Sequence, residues 1–300
     1  MYNMLVTGSN GQVGSELREL VGSGTSVPHG DVNEAQGGTQ SGERHGLAFL
    51  EVPHPKAKFF FTDRESLDIT NVDAIKEFVE KNAINAIINT AAYTAVDKAE
   101  SDETNANAVN HLAVKNLAQI AKEKNIKLIH ISTDYVFDGE NFKPYTEEDT
   151  TSPNGVYGVT KLAGENAIKA INPPNAIIIR TSWVYSYYGA NFVKTMLRLG
   201  KEKEELGVIY DQVGSPTYAR DLAKAILDIV GQLDCRAALA VTADVDTVTE
   251  NSSLRGTKQS QNDVQIYNYS NEGVLSWYDF AKEIMKMAKL NCKINPIETY

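Results

Sequence analysis

The chain is poor in cysteine. Cys235 and Cys292 are the only two in 300 residues, too few for a disulfide framework or a structural zinc site. A reducing, cytoplasmic compartment is therefore expected. No run approaches the roughly 18 uncharged apolar residues of a transmembrane helix, so no membrane role is expected. The opening MYNMLVTG enters a strand-like run at once, without a basic segment or a cleavage site, and predicts no signal peptide. Positive charge is also scarce. There are 29 Lys+Arg against 39 Asp+Glu, a net charge of −10 with a pI near 5.1. A nucleic-acid partner would call for a basic field. No internal repeat is visible. What is present, 42 % apolar and 23 % charged residues, is ordinary globular composition for one large domain or two. It suits an α/β enzyme or binding protein.

Apolar runs alternate with amphipathic stretches through the first two thirds of the chain. Strands are expected at Met4–Thr7, Lys58–Thr62, Ala86–Asn89, Lys127–Ser132 and Ala176–Arg180. Between them, helices are expected from Gly14 to Leu20, Val72 to Lys81, Ala106 to Lys124 and Tyr157 to Ala170, by their apolar spacing. Strands apolar along their whole length, joined by helical crossovers, indicate a parallel sheet covered on both faces. The fold class is therefore α/β, a Rossmann-type doubly wound sheet, over residues 1–180. Residues 181–300 read mainly as a smaller substrate-binding lobe, with helices at Asn191–Gly200, Asp221–Val230 and Trp277–Leu290 and a strand at Gln265–Ser270. Two segments break the rhythm, about 21–55 and about 235–265. Both are aperiodic and polar and read as surface insertions. His29, His45 and His54 in the first lack any supporting pattern for a metal site.

Thr7 to Leu17 reads TGSNGQVGSEL, with Gly8, Gly11 and Gly14 between a strand and a helix. Such glycines allow a tight turn, close approach of a pyrophosphate, and close helix–strand packing, and the helix start offers free N–H donors. The fold also calls for an acidic residue after the second strand, about 20 residues beyond the loop. Asp63 is in that place once an insertion of about 30 residues is removed. Arg64 beside it can meet a 2′-phosphate, so NADPH and NADH are both admitted. Both residues can also be read as a solvated turn.

Tyr157 and Lys161 form Y-x-x-x-K, which places them on one helix face. An ammonium beside a phenol lowers the phenol pKa and makes it a usable general acid. A second match, Tyr278 and Lys282, sits among Trp277, Phe280 and Ile284 and reads as packing. Tyr157 instead follows Ser132-Thr133-Asp134, which ends the fourth strand at the carboxyl edge of the sheet, where ligands bind.

TGSNGQVGSEL, NTAAYTAVDKAE (89–100), ISTDYVFDG (131–139), SPNGVYGVTKLAGE (152–165), RTSWVY (180–185) and NFVKTMLRLGKEKEELGVIYDQVGSPTYARDLA (191–223) together closely resemble the dTDP-4-dehydrorhamnose reductases, a family of extended short-chain dehydrogenases. The resemblance covers nearly the whole chain outside the two insertions. It implies reduction of a 4-keto nucleotide sugar by NADPH or NADH, giving dTDP-L-rhamnose for cell-surface polysaccharide. It makes Tyr157 the proton donor, has Lys161 hold the nicotinamide ribose and tune that tyrosine, and gives Thr133 the substrate carbonyl. Asp134 and Trp183 match substrate-contacting positions. Gly8, Gly11, Gln12 and Val13 match the pyrophosphate loop, and Asp63, Asp68 and Ile69 the adenosine end. Ala92, Tyr93 and Thr94 match the loop that passes the cofactor, and Asn110 the asparagine that braces the site. The resemblance also admits a homodimer, and Mg2+ at a dimer contact as in some members.

Plainer readings stand beside these. Trp183 can be core, Asp134 can cap a turn, and His111 and His130 read as structural. Asp97, Glu100, Asp102 and Glu103 read as a solvated helix start. The sequence departs from the family pattern in its two insertions and in lacking a Pro- and Arg-containing tail after Tyr300, which implies weaker substrate binding with cofactor binding kept. A non-catalytic dinucleotide-binding regulatory subunit, like that of methionine adenosyltransferase, is the alternative; the intact Thr/Tyr/Lys set argues against it. Dehydratases of the superfamily place Asp-Glu after the threonine, where this chain has Asp134-Tyr135.

Overall fold

A computed structural model describes residues 2–22, 57–239 and 264–299. The aperiodic segments, with His29, His45 and His54, lie almost wholly outside the described residues. The chain runs β1 (Tyr2–Thr7), α1 (Gln12–Val21), β2 (Ala57–Thr62), α2 (Val72–Lys81), β3 (Ala86–Asn89), α3 (Val96–Ala99), α4 (Glu103–Asn107), a π turn (Ala108–Leu112) and α5 (Ala113–Glu123). It continues with β4 (Lys127–Thr133), a 3-10 turn (Asp134–Val136), α6 (Val156–Ile171), β5 (Ile177–Thr181), β6 (Val184–Tyr185), α7 (Phe192–Glu202), β7 (Glu205–Ile209), β8 (Val213–Gly214) and β9 (Thr217–Tyr218). The last elements are α8 (Ala219–Leu239), β10 (Gln265–Tyr269), β11 (Leu275–Ser276), α9 (Trp277–Met287) and β12 (Lys293–Ile297).

Six parallel strands form the central sheet in the order β10-β5-β4-β3-β1-β2. Alternate side chains of each strand enter two separate cores, as a strand buried on both faces requires. Leu5, Ile87, Leu128 and Ile178 pack with Ile75, Val79, Leu117 and Ile168 of α2, α5 and α6. Met4, Val6, Ile88, Ile129 and Ile179 pack with Val13, Leu17, Leu222 and Ile226 of α1 and α8. The strand order reverses direction between β1 and β3, so the crevice for a ligand opens at the carboxyl ends of those strands.

The sheet and its cover also draw on the chain beyond residue 180. α8 packs on α1, and β10 pairs in parallel with β5. A smaller body remains, built by α7, α9 and the β7–β12 pair around Met196, Val208, Ile284, Met285 and Ile294. The helix expected from Ala106 to Lys124 is interrupted. A π turn lies between α4 and α5, where Gly164 of α6 comes so close that a Cβ would sit 2.3 Å from the Asn110 carbonyl.

β5 is tied to α6 by a buried ion pair. Arg180 grips Glu165 with Nε–Oε1 at 3.0 Å and Nη2–Oε2 at 2.7 Å, and the Ser132 hydroxyl adds 2.6 Å to the same carboxylate. Both charged side chains are almost wholly inaccessible. Removing one partner strands a charge in the interior. Arg180→Met should cost about 3–5 kcal/mol in urea unfolding, and adding Glu165→Leu should recover most of that loss. Equal destabilisation by the single and double variants would contradict this account.

Candidate active site

α1 begins directly after the glycine turn. Gly8 has φ +70°, and a Cβ there would lie 2.6 Å from Ala91 Cα. The left-handed backbone and the close approach to the loop after β3 both call for glycine. The Gly11 N–H donates to the Gly8 carbonyl at 2.9 Å, and Gly14 meets the same turn, its Cβ position 2.6 Å from the Gly8 oxygen. α2, α7 and α9 are capped by Asn71, Asn191 and Ser276. At α1 no side chain caps the first turn, and no acidic residue lies in it. That uncapped start is what a phosphate needs. The glycine cradle and the helix start fit a dinucleotide.

Gln12 and Val13 open this helix. Gln12 donates to the Val184 carbonyl at 3.1 Å and accepts from Asn191 at 3.0 Å, while Val13 is buried. After β2, the Asp63 carboxylate accepts from Asn10 of the glycine loop at 2.6 Å. The Ser66 N–H and hydroxyl, aided by Asn10, hold it below the usual carboxylate range. Arg64 is exposed. Asp68 is turned onto Thr70, and the Ile69 side chain is packed into the core. Ala92, Tyr93 and Thr94 follow β3. The Tyr93 N–H donates to Asn110 Oδ1 at 2.9 Å, and Asn110 Nδ2 reaches the Tyr93 carbonyl at 3.1 Å and Thr160 Oγ1 at 3.3 Å. Asn110 thus joins this loop to α6 from the π turn.

The candidate reactive hydroxyls belong to Thr133, where β4 ends, and Tyr157, where α6 begins. A Cβ on Gly158 would lie 2.3 Å from the Tyr135 carbonyl, so glycine lets the first turn of α6 rest on the 3-10 turn. Glu100 caps that helix start, accepting from the Val156 N–H at 2.9 Å. This seats Tyr157 edge-on to Tyr135, with ring centroids 5.5 Å apart, and its hydroxyl toward the Thr133 side chain. Thr133 Oγ1 donates to Asp134 Oδ1 at 3.0 Å and accepts from the Tyr135 N–H at 3.2 Å. Thr133, rather than Asp134, caps the turn.

The expected acidification of Tyr157 by Lys161 is absent. Burial pushes the phenol above its ordinary value, against the smaller opposing pull of Thr133. Lys161 is drawn beneath the sheet edge, where its Nζ donates to the Ile131 carbonyl at 2.7 Å and lies 3.4 Å from His130 Nε2. The sequence reading assigned His130 to plain structure. Its side-chain partners come from β3 and α6, so local spacing carries no sign of them. Trp183 lies in the short link between β5 and β6. Its φ is +48°, and its ring stacks on Trp277 of α9, with centroids 3.5 Å apart and planes 13° apart. The role of Trp277 had no sequence signal beyond its amphipathic helix.

A glycine turn under β1, with a threonine and a Y-x-x-x-K pair at the edge of a doubly wound sheet, defines a dinucleotide-binding protein of the short-chain dehydrogenase class. Known proteins narrow the class. The family model described as RmlD substrate binding domain matches residues 2–245. A dTDP-4-dehydrorhamnose reductase of Aggregatibacter actinomycetemcomitans is 35 % identical over 288 residues, 96 % of this chain and 80 % of that protein. The crystal structure of a dTDP-4-dehydrorhamnose reductase from Clostridium acetobutylicum matches with a TM-score of 0.76 at 35 % identity, over 99 % of this chain and 84 % of that one. The Bacillus anthracis dTDP-4-dehydrorhamnose reductase, solved with NADP, gives 0.75 at 32 %, over 100 % and 85 %. The chain belongs to the dTDP-4-dehydrorhamnose reductase family.

Burial raises the Asp134 carboxyl to about 6, against hydrogen bonds from Thr133 and the backbone. A raised folded-state pKa contributes stability below the unfolded value, and that stability is lost as pH rises through about 6. Asp134→Asn, which keeps the acceptor for Thr133, should therefore stabilise the fold at pH 8 by about 1–3 kcal/mol. The gain should shrink toward zero by pH 4 in urea titrations. A gain independent of pH would rule out carboxylate burial as its cause.

Proposed function

We propose that the chain reduces the 4-keto group of dTDP-4-dehydrorhamnose to give dTDP-L-rhamnose, with NADPH or NADH as reductant, in nucleotide-sugar metabolism that feeds cell-surface polysaccharide. The observation that carries this reading is the seating of Tyr157 against the turn that follows Thr133, at the sheet edge that also holds the uncapped glycine turn. The close relatives named for this reaction support it.

When bound, the dinucleotide supplies a hydride to the carbonyl carbon. The residues supply the rest. The raised pKa of Tyr157 keeps it protonated at neutral pH, so it acts as an acid that gives its proton to the carbonyl oxygen. Thr133 hydrogen-bonds that oxygen and then the phenolate left behind. Gly8, Gly11, Gln12 and Val13 cradle the pyrophosphate, and Asp63 and the exposed Arg64 flank the adenosine end. Ala92, Tyr93 and Thr94 border the cofactor, and Lys161 meets its nicotinamide ribose. Asp134 and Trp183 face the sugar, with residues 181–300 supplying much of that side. A reducing cytoplasmic setting suits Cys292, an unpaired thiol.

Tyr157→Phe should lower turnover by at least about a hundredfold, the scale of general-acid catalysis, followed as loss of NADPH absorbance with the keto-sugar nucleotide. The NADPH dissociation constant should stay within about threefold. Undiminished turnover in this variant would reject the assignment.

A further inference from the structure

Four buried polar side chains cross the sheet in a line behind the site. Thr7 closes β1, Asn89 closes β3, His130 lies on β4 and Lys161 on α6, and none is more than 1 % exposed. Thr7 Oγ1 donates to Asn89 Oδ1 at 2.7 Å. Asn89 Nδ2 lies 3.0 Å from His130 Nδ1, and His130 Nε2 lies 3.4 Å from Lys161 Nζ.

The direction of each bond follows from one that cannot be reversed. The Ala91 N–H can only donate, and it points at Asn89 Oδ1 at 3.2 Å. The amide oxygen therefore faces Ala91 and Thr7, and the amide NH2 faces the imidazole. A ring nitrogen opposite an NH2 must accept, so Nδ1 of His130 carries no proton. Burial, and to a lesser degree the neighbouring lysine, keeps this ring neutral, far below its ordinary pKa. Its single proton is then on Nε2, aimed at Lys161.

A nitrogen facing an N–H donor has to offer a lone pair, and an ammonium has none. An uncharged amine fits the surroundings, with one N–H to the Ile131 carbonyl at 2.7 Å and its lone pair toward His130. An ammonium would face a donor and find one protein acceptor for three protons in a fully buried place. Few charges oppose this. On α6 itself, Glu165 favours the ammonium but is gripped by Arg180 from β5. The 3-10 turn brings Asp134, hydrogen-bonded by Thr133. The π turn brings His111, bonded to Asn107, and α5 an exposed Lys115, while Glu100, just after α3, accepts from the Val156 N–H. Burial outweighs Glu165 and brings Lys161 to about 8.

We propose that, in the cofactor-free protein at alkaline pH, His130 is a positioning residue that donates Nε2–H to an uncharged Lys161, and that dinucleotide binding under those conditions, by bringing acceptor oxygens to this lysine, is accompanied by proton uptake there. The second half rests on the dinucleotide-binding reading above; the first does not.

The test reads the protons directly. Ring-15N NMR of the cofactor-free chain at pH 9 should show His130 neutral, with its proton on Nε2. Lysine side-chain 13C NMR should show one lysine titrating near pH 8, well below the others and absent from Lys161→Met. Calorimetry at pH 8.5 in two buffers of different ionisation enthalpy should show uptake of more than about half a proton per NADPH bound. NADH, which lacks the titrating 2′-phosphate, should give the same result, and Lys161→Met should take up none. A proton on Nδ1, a charged His130, or a Lys161 that titrates with the other lysines would overturn the first half. Tight NADPH binding without proton uptake would overturn the second. Failure to bind either dinucleotide would sink the second half together with the reductase reading, and the NMR result on the free chain would stand apart from it.

Discussion

The closeness of α6 to its neighbours is the constraint from which the site follows. Gly158 lets the first turn of the helix rest on the Tyr135 carbonyl, and Gly164 lets its middle rest on the Asn110 carbonyl. A methyl group at either place would push the helix outward. With the helix seated, Tyr157 reaches the end of β4, Lys161 passes beneath it, and Glu165 meets Arg180 of the next strand. Three successive turns of one helix thus present a phenol, an amine and a carboxylate to three different polar partners. The π turn is the other half of this fit, since it turns Asn110 toward both Tyr93 and Thr160.

Much of this was legible in the amino-acid order. The apolar runs at Met4–Thr7 and Ala86–Asn89 have one structural solution once helices separate them, and α2 falls on Val72–Lys81 as its spacing demands. The glycines of the first turn announce themselves because few other residues could occupy those backbone positions. β7 and β12 escaped notice for the opposite reason. Glu205–Ile209 and Lys293–Ile297 are short and contain a glycine and a proline, and they become strands only by pairing with each other. The π turn is invisible for a similar reason, because AVNHL is compatible with an ordinary helix and the cause of the bulge lies on α6.

At the site, spacing revealed which side chains share a helix face but not what each one touches. Tyr157 and Lys161 lie one turn apart, and a direct effect of one on the other is the natural reading. The structure gives them separate surroundings. The tyrosine looks toward Thr133, and the lysine toward a backbone carbonyl and His130. Its further partners, Asn89 and Thr7, come from strands far away in the chain. Periodicity could mark His130 only as a polar residue inside an apolar strand.

The stacked indoles have a practical corollary. Trp183 and Trp277 are the only two tryptophans in the chain, and they form one face-to-face pair. All indole emission therefore originates at one spot, beside the wall assigned to the sugar. With excitation beyond the absorption band of the 14 tyrosines, the molecule carries its own optical reporter there without any added label.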